Sequence, residues 1–314
     1  MLETIIMALL PIVVTLLLGL LAGWRHDFTQ EQASVLNRMV MGYALPMLLF
    51  AGILGTPLAE VLKNVQVFVW LAVGMAGGFI LVLLISRFVC GSDFKLAALR
   101  GLAIAGPAVP FVGTPVLGLL FPVEADLSIA AGSILLNLVQ VPLALVFLVG
   151  SAQSANPGQN KSAVHIVAAS IATAVRQPVV WAPVFAFALL LLGLDMPKVL
   201  KGSFLLLGQA TGGVALFAVG AVLYAQRVSM SLPVVVNVIA KNIVLPGLTL
   251  LAMIWLAVPG TERGLVTVTL AIPTASIAVI FAVEYGTGQQ EMASTLFWST
   301  ILSVLTMGGF IWLT

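Results

Sequence analysis

Apolar residues run along this chain in stretches of about 20, the length at which a helix rising ~1.5 Å per residue crosses the ~30 Å hydrocarbon core of a bilayer. Ten such stretches are read, at 4–24, 33–55, 65–89, 96–120, 127–150, 178–194, 199–224, 232–258, 264–285 and 290–313. The pattern predicts an all-α polytopic membrane protein with ten transmembrane helices. The sixth span has an open start. Its apolar core begins at Pro178, a favourable first helical position, and the preceding HIVAASIATAVRQ is either an interfacial lead-in or part of the same span.

One span interrupts itself. GPAVPFVGTP, residues 106–115, sets Pro107, Pro110 and Pro115 in the middle of the fourth apolar stretch. Proline removes a backbone donor and clashes with the carbonyl one turn back, so the three together argue against a continuous helix. In lipid a broken helix is tolerated only where protein or a water-filled cavity surrounds the freed backbone groups. The plainer alternative is that these prolines only kink packed helices.

Composition supports the membrane reading: 61% of the 314 residues are hydrophobic and 8% charged. The formal charge of +2 provides no patch for nucleic acid. Cys90 is the single cysteine, which excludes an internal disulfide, and no CxxC, HExxH or GxxxxGK[ST] spacing occurs to hold a metal or a nucleotide. No cofactor is expected. A cleaved signal peptide is disfavoured because Glu3 precedes the first span and Arg25 follows it. Across the loops, Arg25, Arg38, Arg87, Lys95, Arg100, Lys161, Arg176 and Arg227 fall on one side and Lys63, Lys198, Lys201 and Arg263 on the other. The richer side is expected to be cytoplasmic, which puts both termini outside.

The chain also echoes itself. At an offset of 163 residues RGLAIAGPAVP (100–110) lies on RGLVTVTLAIP (263–273), pairing Pro110 with Pro273, and at 167 LLFAGIL (48–54) resembles ALFAVGAVL (215–223). Duplication of a five-span unit gives halves at 1–150 and 163–314, and the odd number makes the second enter the membrane inverted. SAQSANPGQNKS (151–162) is the linker, with the Gly, Pro, Ser and Asn content of a flexible loop. Paired broken segments in matching places of two repeats point to a substrate site. The fourth and ninth spans would then each aim a half-helix N-terminus at the midplane, where unpaired N–H groups favour an anion.

At these residues the sequence resembles the auxin efflux carrier family, and within it the malonate-transporting bacterial subgroup. The resemblance is carried by NRMVMGYALPMLLFAGIL (37–54), FVGTPVLGLLFP (111–122), ALFAVGAVL (215–223), KNIVLPGL (241–248) and AIPTASIAVIFAVEYG (271–286), and runs nearly end to end. It implies a ten-helix inverted-repeat carrier in a bacterial inner membrane, with crossing fourth and ninth helices. The implied substrate is a small organic anion such as malonate, coupled to a proton or sodium, and a homodimer is the assembly to be tested. The resemblance departs at Ala108, where many relatives carry an asparagine.

Candidate substrate-binding residues follow from the breaks and from polar positions inside spans. Pro107, Ala108, Pro110, Gly113, Thr114 and Pro115 belong to the first break, Pro273, Thr274 and Ser276 to the second. Lys241, about ten residues into the eighth span, either binds a carboxylate or braces the broken helices; snorkelling is the alternative. Asn137 and Gln140 share a face of the fifth span, matched by Thr300 and Ser303 in the tenth, and Tyr43 stands near Pro46. Glu284 is the candidate for a coupling proton. Secondary transport by alternating access leads over a channel, a uniporter or a non-transporting receptor, and over a membrane hydrolase, because neither His26 nor His165 lies deep in a span as a base would.

Overall fold

The computed structural model describes residues 2–55, 65–122, 124–154, 176, 178–194, 196–226 and 228–314. Among them every regular element is a helix: α1 (Leu2–Trp24), α2 (30–54), α3 (65–89), α4 (Phe94–Ala105), α5 (109–120), α6 (125–154), α7 (Pro178–Leu191), α8 (198–226), α9 (232–255), α10 (Gly260–Ala271), α11 (Ile277–Glu284) and α12 (Gln289–Leu313). Six stretches are long and apolar enough to cross a membrane: Glu31–Leu54, Val65–Val89, Leu127–Val149, Lys198–Ala218, Leu232–Trp255 and Gln289–Leu313. The linker from residue 155 onward, including Lys161 and His165, and Lys63 and Arg227 of the loops, lie outside the described residues.

Local chemistry sets the helix starts. Thr29 and Gln32 form a reciprocal capping box on α2, with Thr29 N–H donating to Gln32 Oε1 at 2.9 Å. Asp93 Oδ1 accepts the Leu96 N–H at 2.9 Å and starts α4. Interior prolines are accommodated in a consistent way. Pro46, Pro142 and Pro246 each stand two residues past a π turn, at Val40–Ala44, Leu135–Gln140 and Ala240–Val244. The wider turn absorbs the hydrogen bond that a proline ring displaces on the preceding turn, so the helix continues.

Only one of the three prolines in GPAVPFVGTP lies at an actual break. α4 ends at Ala105 and Pro107 sits in extended chain, whereas Pro110 falls in the π turn Val109–Gly113 and Pro115 in the first turn of Thr114–Leu120. A proline in a first helical turn forfeits no intrahelical bond, so these two do not interrupt the helix. The second break runs from Ile272 to Ser276, between α10 and α11.

Helix boundaries also recur at an offset that differs from the leading sequence echo. Val65–Ala72 followed by the π turn Val73–Gly77 has its counterpart in Leu232–Ile239 followed by Ala240–Val244, at an offset of 167. The 12-residue helices α4 and α10 begin 166 residues apart. At the crossing, Pro107 faces Thr274 across an antiparallel bridge, so Pro110 and Pro273 are not opposite one another. The shared Arg-Gly-Leu text set the shorter offset, but helix ends and backbone pairing fix the register.

Around the crossing, α4 packs on α3 and α6, α10 on α9 and α12, and α1 lies along α8. Gly19 of α1 and Gly220 of α8 make that last contact possible, since a Cβ on either would overlap the facing backbone.

Candidate functional site

The two breaks meet each other. Ala108 N–H donates to the Pro273 carbonyl and Ala275 N–H to the Gly106 carbonyl, both at 2.9 Å. This two-bond ladder satisfies backbone groups that neither helix can satisfy alone, as a water-poor interior requires. Gly106 is needed for a steric reason as well: a Cβ there would stand 2.5 Å from the Leu102 carbonyl oxygen.

Neighbouring helices close the remaining carbonyls at the two helix ends. Gln140 of α6 donates its Nε2 to Ala105 O and to Met75 O, each at 2.8 Å, tying the end of α4 to the π turn of α3. Lys241 of α9, fully buried, donates Nζ to Leu270 O at 3.1 Å at the end of α10. A cation there lies at the negative pole of the helix. Thr274 crosses over: its Oγ1 donates to Ala103 O at 2.8 Å, and its N–H to Ser299 Oγ at 3.2 Å. Ser299 in turn donates to Asn242 Oδ1 at 2.7 Å.

Two cavities flank this crossing. The larger, about 40 Å³, is lined by Asn137, Thr211, Ala108, Ala275 and Ser276 together with leucines and isoleucines of α2, α6 and α11. The smaller, about 20 Å³, is lined by Ala108, Gly212, Pro273, Thr274, Ser276, Thr300 and two leucines. Ala108 and Ser276 border both. The N-terminus of α11 opens here, with the Val279 and Ile280 N–H groups already bonded to Ser276 O.

Of the residues picked out by sequence, Ala108, Pro273, Thr274, Ser276 and Asn137 are thus brought together at cavity walls. Pro107 lies in the ladder, while Gln140 and Lys241 line neither cavity. Gly113 is buried against Ile272, where an added Cβ would stand 3.3 Å from Ile272 Cδ1. Tyr43 is 64% exposed and turned away from both cavities, and Glu284 is exposed at the far end of α11. The side chains of Pro110, Thr114 and Pro115 fall outside the described ones. Thr300 Oγ1 bonds Leu296 O within its own helix at 2.8 Å, and Ser303 likewise bonds Thr300 O at 2.7 Å. Sequence reasoning passed over Thr211, although GQATGG (208–213) is an unusually small and polar patch for a span.

At one end of the crossing an ion pair joins the halves. Arg100 of α4 holds Glu291 of α12 in a fork, Nε to Oε1 at 2.6 Å and Nη2 to Oε2 at 3.0 Å, and Asn237 of α9 donates to the same carboxylate at 2.8 Å. Both charged side chains are largely covered, at 12% and 15% exposure.

Helices that break in pairs, bridge by backbone and leave polar-edged cavities beside the bridge define a membrane transport protein. The chain belongs to the auxin efflux carrier family: residues 4–311 match the family described as membrane transport protein. It is 29% identical over 304 residues to the uncharacterized transporter YfdV of Escherichia coli (strain K12), covering 95% of this chain and 94% of that one. It is also similar to a putative malonate transporter of Rhizobium meliloti, at 27% identity over 324 residues and 97% and 94% coverage. A third relative is auxin efflux carrier component 5 of Arabidopsis thaliana, at 22% identity over 346 residues and 96% and 93% coverage.

Proposed function

We propose that the protein is a secondary active transporter of a small carboxylate, with malonate the first substrate to test, working by alternating access and driven by a proton or sodium gradient. The observation that carries this reading is the crossing itself, a backbone ladder between two interrupted helices with polar-edged cavities beside it. In this reading α1–α6 and α7–α12 are two inverted five-span repeats, with α4–α5 and α10–α11 as the paired broken spans. The matching 167-residue register of α3 and α9 supports it. The resemblance to the malonate-transporting subgroup and the name of the Rhizobium relative support malonate.

The residues divide into two tasks. Ala108, Asn137, Pro273, Thr274 and Ser276 form the substrate walls, and Pro107, Gln140 and Lys241 hold the crossing in shape. In this reading the protein sits in a bacterial inner membrane, and the Lys/Arg asymmetry of the loops supports an orientation with both termini outside. Uptake of labelled malonate into sealed proteoliposomes tests the function. Accumulation only under an imposed gradient is the expected result. Equilibration without one means a uniporter or channel, and absence of both entry and competition removes malonate as substrate.

A further inference from the structure

Thr211 is 3% exposed, lines the larger cavity, and has no hydrogen-bond partner for its Oγ1 among the described residues. A buried hydroxyl without a partner carries a desolvation cost that a ligand can relieve. Facing the same cavity are Asn137, 2% exposed and with no hydrogen bond seen among the described residues, and Ser276, whose side chain makes no cap bond to α11. At the start of α11 the Ala278, Val279 and Ile280 N–H groups are taken up by Ala275 O and Ser276 O, which leaves the Ile277 N–H as the backbone donor beside them. These donors are enough for one carboxylate, and they stand on one side of a cavity whose remaining walls are aliphatic, Leu45, Leu49 and Ile280 among them. No lysine, arginine or histidine lines it among the described residues.

Building on the proposed transport of small carboxylates, we propose that Thr211 is a substrate-contacting residue which, with Asn137 and Ser276, seats a single carboxylate at the N-terminus of α11, so that the site selects singly charged carboxylates. A second full negative charge would meet leucine and isoleucine side chains, where nothing replaces its water. Malonate then enters as its monoanion, and an uncharged remainder of similar size serves as well. Thr211 sets the affinity through its hydroxyl, and the aliphatic wall sets the charge count.

The experiment uses the purified full-length carrier in detergent, with calorimetric titration of malonate, monomethyl malonate and butyrate above malonate's second ionisation. Monomethyl malonate is expected to bind at least about ten-fold more tightly than malonate. Thr211→Val is expected to weaken monomethyl malonate about ten-fold while raising the unfolding temperature of the empty protein, because it removes an unpartnered hydroxyl; Thr211→Ser restores affinity. A merely structural Thr211 would shift stability and leave affinity alone, which overturns the assignment. Tighter binding of dianionic malonate than of its half-ester overturns the charge selectivity. If the wild type binds none of the three, the carboxylate reading itself falls, and this inference with it.

Discussion

Gln140 and Lys241 do similar work with different chemistry, and the difference sets what their replacement should do. Gln140 donates to two carbonyls, Ala105 O and Met75 O, the latter also taking the Gly78 N–H, so Gln140→Leu is expected to lower stability by about 1–3 kcal/mol, read as a drop in unfolding temperature in detergent. Lys241 braces α10 through Leu270 O and lines neither cavity. Lys241→Met should therefore leave malonate affinity within about two-fold of wild type in whatever protein folds, measured by calorimetry. A ten-fold loss would instead put the ammonium on the substrate. Both residues were legible in the sequence as polar positions deep in apolar spans. Their partners were not, because backbone carbonyls at a helix end have no letter in the sequence. Thr211 escaped for a related reason: threonine among glycines in a span reads equally well as a close helix contact, and only the missing partner of its hydroxyl distinguishes the two.

Between elements, the same limit appears in the prolines. GPAVPFVGTP announced a break, yet three prolines gave no way to choose its position, and the structure puts it at Pro107 because the other two fall where a helix can start or widen. The bridge between the breaks joins residues 167 positions apart, the offset of the LLFAGIL echo and a few residues from that of the Arg-Gly-Leu echo. Element packing also locates an ion pair of which the sequence analysis had only Arg100, as one loop charge among several. Because Arg100 and Glu291 are mostly covered, Glu291→Gln strands a guanidinium, and a loss of about 3 kcal/mol is expected in detergent unfolding. The double substitution Arg100→Met with Glu291→Met should recover most of it. A double-variant loss equal to the sum of the two single losses would mean that the pair is not coupled.

For the molecule as a whole, six of the ten apolar stretches read from the sequence are, among the described residues, helices long and apolar enough to cross a membrane, because hydrocarbon imposes a length on each, whereas the contact of α1 with α8 depends on two glycines whose pairing no local pattern reveals. Gly220→Leu is expected to abolish monodisperse protein on size exclusion, since its side chain has only backbone to enter. Orientation is tested separately. With Cys90 replaced, a cysteine at Gln159 should react only with membrane-permeant reagents in intact cells, and labelling by an impermeant one would invert the topology. The ladder has a further consequence, in time rather than in space. When a ribosome has delivered the first half, Gly106 O and Ala108 N–H have no mates, because Pro273 and Ala275 are not yet made. For the interval in which some 165 more residues emerge, the first break must keep those groups wet or borrow other partners. Insertion of the early helices is therefore provisional, and the centre of the protein becomes watertight only when its last third arrives.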